Sequence, residues 1–255
     1  MIFDTHMHTK FSTDSKMNIE DAINKAKDEK IGIIITEHMD INFPVEGKFI
    51  FECEKYFDEY NKYRNDKVLL GIELGLRMDC IDENIKIIDN NNFDFVLGSI
   101  HVVDKIDIFF KEYYEQFTNK KGAYEKYLES MYECVKTYNC FDSMAHIDYI
   151  CRYSPYEDRE IYYRKFADYI DEVLKVIIEK DKVIEINTAR LNQDAAIENL
   201  TDIYRRYKEL GGKYVTVGSD SHNSEDIARN FNEAYGIIEK AGLKSVYFRD
   251  RKMII

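Results

Sequence analysis

The sequence predicts an α/β protein built on a parallel sheet, and three observations carry that prediction. Short apolar, β-branched runs alternate with longer amphipathic stretches from end to end, the signature of repeated βα units. No Gly/Ser/Pro-rich linker or shift of composition divides the chain, and it holds only 2 prolines in 255 residues. Seven or eight such units in about 250 residues match the size of a closed parallel barrel, with an open doubly wound sheet as the alternative arrangement.

In chain order, the strand candidates are residues 2–4, 32–36, 68–72, 95–100, 142–145, 183–187 and 214–217, with a last extended piece over 245–248 as an edge or closing strand. Helices lie between them. Tyr163, Phe166, Ala167, Ile170, Val173, Leu174 and Ile177 recur at three- and four-residue steps, as do Tyr124, Tyr127, Leu128, Met131, Val135 and Tyr138. The aromatic-rich stretch 42–63 lacks so clean a period and predicts a loop mixed with a helix. The whole chain, 1–255, reads as one domain.

Charge and composition narrow the function. Lys and Arg number 36 against 48 Asp and Glu, a formal net charge of −12, which repels phosphate backbones and anionic lipid and argues against a nucleic-acid binder working by bulk charge. No apolar run approaches the roughly 20 residues of a membrane span, and the start of the chain lacks a basic segment followed by an apolar run. The 5 cysteines form no CxxC pair and fit free thiols in a reducing compartment, so a soluble, cytoplasmic protein is expected.

All 6 histidines fall at or just after the carboxyl end of a strand candidate: His6, His8, His38, His101, His146 and His222. Parallel βα architectures gather such positions on one face, where their active sites lie. Each also has a carboxylate near it in sequence or at a neighbouring strand end, among them Asp14, Asp40, Glu73, Asp148 and Asp220. In His6-x-His8, alternate residues of one strand project to the same side and can bring two imidazoles to one ion; Asp220-x-His222 repeats the spacing with a carboxylate. Imidazole mixed with carboxylate suits Zn, Mn or Fe(II). Any one of these residues alone reads as a packing residue; together on one face they predict a metal site.

The same residues resemble the polymerase-and-histidinol-phosphatase (PHP) superfamily of metal-dependent phosphoesterases over essentially the whole chain. Asp4-Thr5-His6-Met7-His8-Thr9 with Ser12 and Asp14 is similar to its first motif, and Ile35-Thr36-Glu37-His38 to its second. Gly71-Ile72-Glu73, Gly98-Ser99-Ile100-His101, Ala145-His146-Ile147-Asp148 and Gly218-Ser219-Asp220-Ser221-His222 follow in the family's order. The resemblance implies a distorted, TIM-barrel-like (β/α)7 fold. It also implies two to three divalent transition metal ions (Zn, Mn or Fe), the third hanging on a position where some members carry histidine and this chain carries Asp14. The first ion would take His6, His8, Glu73 and Asp220; Glu73 would bridge to a second held by His101 and His146; Asp14, His38 and His222 would hold the third. Within the superfamily, the chain looks most like the histidinol-phosphate phosphatases, on Gly98-Ser99-Ile100-His101, His146-Ile147-Asp148-Tyr149 and Glu185-Ile186-Asn187-Thr188. That branch hydrolyses L-histidinol phosphate to L-histidinol and phosphate, with Glu73, Asp220 and His222 at the reacting centre.

On this reading the ions offset the acidic surface, acidify a water that attacks phosphorus in line, and neutralise the phosphoryl oxygens. Guanidinium pairs with two oxygens at once, so Arg152 and Arg190, and less so Arg77, are candidates for phosphate binding, while Glu37 and Asp148 are expected to support ligands rather than serve as ligands. The expected partner is a small phosphate ester, not nucleic acid or a membrane. Other phosphate esters or nucleotides are the competing substrates. A metal-dependent amidohydrolase is disfavoured because the bridging position holds Glu73 and not lysine, and a binding module without catalysis is disfavoured by the intact ligand set.

Overall fold

Along Gly32–Met39 the side chains alternate between two apolar environments: Ile33 and Ile35 join the large core, whereas Ile34 joins a smaller cluster with Leu69, Phe95, Leu97, Ala145 and Val183. The next long strand, Val68–Gly75, repeats the pattern, with Leu70 and Ile72 in the large core and Leu69 in the small cluster. This period-two split is what a curled sheet requires, one face packed on helices and the other turned inward.

The computed structural model describes residues 1–255. The strands are β1 (Phe3–Asp4), β2 (Gly32–Met39), β3 (Val68–Gly75), β4 (Phe95–Ser99), the hairpin pair β5 (Val102–Val103) and β6 (Ile106–Asp107), then β7 (Ser143–Met144), β8 (Val183–Asn187), β9 (Tyr214–Gly218), β10 (Lys244–Ser245) and a final hairpin, β11 (Tyr247–Arg249) with β12 (Lys252–Ile254). Eight of them form one parallel sheet in the order β1-β2-β3-β4-β7-β8-β9-β10. Strand order follows chain order with no reversal, which excludes the doubly wound alternative. Beyond β1 the chain meets the end of β9: Thr5 N–H donates to Val217 O at 3.0 Å, Asp220 N–H to His6 O at 2.8 Å, and His8 N–H to Ser221 O at 2.8 Å. β10 instead pairs with the first residues of β9, Tyr214 and Val215. The barrel is distorted because β9 divides its two ends between different neighbours.

Helix Lys120–Thr137 begins at Asn119, whose side chain accepts from Gly122 N–H, and helix Ala167–Glu179 follows a 3-10 turn over Tyr163–Lys165. The 42–63 stretch is turns followed by helix Cys53–Tyr60 and a 3-10 turn Asn61–Tyr63, as expected. Several boundaries differ from the sequence reading. β2 and β3 run on through Glu37, His38 and Glu73, because Glu37 registers with Ile72 and His38 with Glu73, so these polar residues stay in the ladder. The expected strand over 142–145 shrinks to two residues, and the 245–248 piece splits between β10 and β11. The final hairpin covers the amino-terminal end of the barrel, Phe248 stacking on Phe95 at 5.4 Å and Tyr247 on Phe3 at 3.9 Å. All five cysteines are free, and no helix is long and apolar enough to cross a membrane.

Candidate metal centre

On the inward face, apolar residues at the amino end of each strand give way to polar ones at the carboxyl end. Ile34 is followed by Thr36 and His38, Leu69 by Gly71 and Glu73, and Val183 by Glu185 and Asn187. All of these polar side chains are buried. The rule that alternate strand residues share a face thus places one apolar plug below and one cluster of ligand groups above.

Glu73 is at the middle of that cluster. Its Oε1 lies 2.9 Å from His146 Nε2, 3.2 Å from His101 Nε2 and 3.4 Å from His6 Nε2, while its Oε2 lies 2.8 Å from His38 Nδ1 and 3.5 Å from His8 Nε2. Asp220 Oδ1 stands 3.5 Å from His6 Nε2 and 3.3 Å from His8 Nε2. At the rim, Asp14 Oδ2 is 3.1 Å from His222 Nε2 and 3.6 Å from His38 Nε2. The sets His6–His8–Glu73 and Glu73–His101–His146 each converge closely enough to share an ion. So does His8–His38–His222. Asp220 holds its position with φ at 54°, in the left-handed region that aspartate tolerates better than most residues.

Several imidazoles are oriented from behind. His6 Nδ1 is 2.8 Å from Glu185 Oε1 and His101 Nδ1 is 3.1 Å from Asp40 Oδ1. His8 Nδ1 is 3.1 Å from Ser12 Oγ, which itself donates to Glu37 Oε2 at 2.6 Å. A proton on each Nδ1 satisfies these contacts and leaves each Nε2 as a lone pair. His6 Nε2 and His8 Nε2 then face each other at 3.1 Å, acceptor against acceptor. Crowding without hydrogen bonds recurs at His38 Nδ1, Glu73 Oε2 and His101 Nε2, all buried and none with a hydrogen-bond partner. Buried lone pairs converging on one another are costly unless a cation sits among them, so these residues fit divalent metal ions.

The electrostatics agree. Burial pushes the Glu73 and Asp220 carboxyls up, but His6, His101 and His38 around Glu73, and Arg152 and His6 around Asp220, hold both well below the carboxylate range. Burial pushes His8 and His146 down, which favours the neutral imidazole at both. At His6 the pull of Glu185, Asp220 and Glu73 overcomes burial and favours a cation on the ring, a place that a proton and a metal compete for.

The two arginines differ. Arg152 Nη1 reaches Asp220 Oδ2 at 2.6 Å and its Nη2 donates to Asn187 Oδ1 at 2.7 Å, which puts it against the ligand cluster. Arg190 donates to Asp148 Oδ2 at 2.6 Å and also bonds Glu160, so both ends of a buried guanidinium are already met by carboxylates. Arg77 pairs with Asp79 and the Asn42 carbonyl, away from the cluster. Glu37 supports His8 through Ser12; Asp148 touches no imidazole and holds Arg190 instead. The roles of Asp40 and Glu185 escaped the sequence reading. The available signal was a charged residue at an inward position of an otherwise Ile/Val strand, as at Glu185.

A parallel barrel whose carboxyl mouth gathers buried imidazoles and carboxylates in overlapping sets has the architecture of a metal-dependent enzyme, with groups that could hold more than one ion. Residues 4–189 match the PHP domain, and the chain belongs to that family. It is 52% identical over 253 residues to a probable histidinol-phosphatase of Clostridium acetobutylicum, covering 99% of each chain. Its identity to the histidinol-phosphatase of Lactococcus lactis subsp. lactis is 31% over 249 residues, 94% of this chain and 91% of that one. The crystal structure of histidinol phosphate phosphatase from Lactococcus lactis, complexed with zinc, L-histidinol and phosphate, matches with a TM-score of 0.94 at 30% identity, covering 100% of this chain and 99% of that one.

Proposed function

We propose that this chain is a histidinol-phosphatase, a phosphoric monoester hydrolase that converts L-histidinol phosphate to L-histidinol and phosphate. The carrying observation is the overlap of ligand sets on one buried carboxylate, Glu73, in a chain similar end to end to enzymes of that name. His6, His8, Glu73 and Asp220 would hold one divalent ion, Glu73, His101 and His146 a second, and Asp14, His38 and His222 a third, with zinc, manganese or iron as the metals. When bound, such ions supply positive field for the phosphoryl oxygens and a nucleophile at neutral pH.

The chain's own residues do the rest. Glu73 keeps the first two centres in one electrostatic unit. Asp220 holds Arg152 at the cluster edge, where the guanidinium's remaining donors can take phosphoryl oxygens. Arg190 contributes to phosphate binding only by exchanging Glu160 for the substrate, and in the free protein it ties Asp148 to the loop carrying Glu160. His222, 29% exposed at the side chain, is the most open imidazole of the set and faces the solvent side.

The test is a panel of phosphate monoesters and diesters offered to the metal-loaded protein. The pocket must bind an ammonium and an imidazole as well as phosphate, and polar contacts to buried groups contribute on the order of 1–3 kcal/mol each, so kcat/KM for L-histidinol phosphate should exceed that for p-nitrophenyl phosphate by at least roughly a hundredfold. Equal turnover of the generic ester, or faster turnover of a nucleotide, would refute the substrate while leaving the metal site standing.

A further inference from the structure

Six of the eight strands of the parallel sheet deliver candidate ligands from their carboxyl ends, while the short β10 and, in the middle of the ligand strands, β8 deliver none. The two inward polar side chains of β8 are nevertheless buried among the ligands. Glu185 Oε1 lies 2.8 Å from His6 Nδ1, while Oε2 accepts the backbone N–H of His146 at 3.0 Å. One carboxylate therefore grips a ligand of each of the two centres that share Glu73. Asn187 extends the strip: its Nδ2 donates to Glu185 Oε2 at 3.2 Å and to Asp220 Oδ2 at 3.3 Å, and its Oδ1 accepts from Arg152. The backbone makes room for this. A side chain on Gly218 would place its Cβ 2.3 Å from Glu185 Oε1 and 2.3 Å from the His6 Cβ. Glu185 is fully buried, and Tyr204 OH bonds its carbonyl oxygen from behind.

We propose that Glu185 is a positioning residue that couples the first and second metal centres: by holding the His6 ring and the His146 backbone with one carboxylate, it makes the two ions bind and leave together. The inference rests on the metal-site reading above and adds to it a residue that touches neither metal nor substrate. The charge is essential to this role, since only a carboxylate offers acceptors to both the ring N–H and the amide N–H. A glutamine of the same size must turn its NH2 toward one of these two donors and repel it. The rim set of Asp14, His38 and His222 makes no contact with Glu185 and lies outside its reach.

Zinc-loaded wild type, Glu185→Gln and Glu185→Ala are mixed with excess chromophoric chelator, zinc release is followed by absorbance, and far-UV circular dichroism checks the fold. Supporting residues of this kind change metal affinity by about 10- to 100-fold, so the expected result is release of two ions in one joint phase from wild type, and in both variants loss of that joint phase, the two ions leaving separately and at least about tenfold faster, with any rim ion leaving at the wild-type rate. Wild-type release from Glu185→Gln overturns the proposal, because it shows that volume and not charge matters. Equal acceleration of every phase also overturns it, as general loosening. If Glu185→Ala does not fold, the isosteric variant decides alone. Absence of bound zinc in wild type would instead overturn the metal-site reading beneath it.

Discussion

Arg152 Nη1 contacts Asp220 Oδ2 at 2.6 Å, joining the arginine at the mouth of the site to a carboxylate of the ligand set. Removing the guanidinium removes donors for phosphate but leaves Asp220 its contact with Asn187 Nδ2 at 3.3 Å. Arg152→Ala should lower kcat/KM for the phosphate ester by about 10- to 100-fold, corresponding to the roughly 1.5–3 kcal/mol of a charge-assisted hydrogen bond, chiefly through KM. Zinc content by elemental analysis should stay at the wild-type level.

Arg190→Ala should behave differently. It strands Asp148 and Glu160 in a buried place, each having lost its cation, and breaking a buried ion pair costs about 3–5 kcal/mol. The expected result is a large fall in the urea midpoint. A variant of unchanged stability with a raised KM would make Arg190 a substrate residue first.

Protein purified without chelator should carry about two to three equivalents of transition metal, and strong chelation should abolish hydrolysis. Glu73→Gln should lose both metal and kcat, and lose more kcat/KM than either arginine variant, because its two oxygens face both sides of the cluster. Full activity in metal-free protein would refute the mechanism.

Gly218→Ala forces a Cβ against Glu185 and His6, whereas a Cβ on Gly236, inside helix Phe231–Ala241, meets nothing within 4 Å. Gly218→Ala should therefore weaken zinc binding and lower Tm. Gly236→Ala should raise stability by about 0.8–1 kcal/mol through helix propensity alone. Equal zinc affinity in the two variants would contradict the close packing described behind His6.

The long strands and the histidines were legible because their signals are local: β-branched runs, period-two alternation, and histidines at or just after strand ends. The supporting carboxylates were not. Asp40 is 61 residues from His101 and Glu185 is 179 residues from His6, so no window of sequence holds either pair. β7 was overextended because two ladder residues leave little pattern, and the ends of β2 and β3 were cut short because glutamate and histidine look like loop residues until their partner strand is known. Arg190 read as a phosphate ligand from its place after β8, and nothing nearby in sequence marks Glu160 as the residue that meets it.

The seam between the start of the chain and β9 has a consequence for biosynthesis. Thr5 bonds Val217, 212 residues further along, and the backbone of His6 and His8 is held on that side by Asp220 and Ser221. His6 and His8 leave the ribosome more than 200 residues ahead of the strand that meets them. Contacts of such long sequence separation form late and slow folding. Zinc supplied before β9 is made would meet incompletely framed histidines, so productive metal loading belongs after β9 has joined the sheet. Truncation before β9 would yield chains that scavenge metal weakly and never assemble the centre.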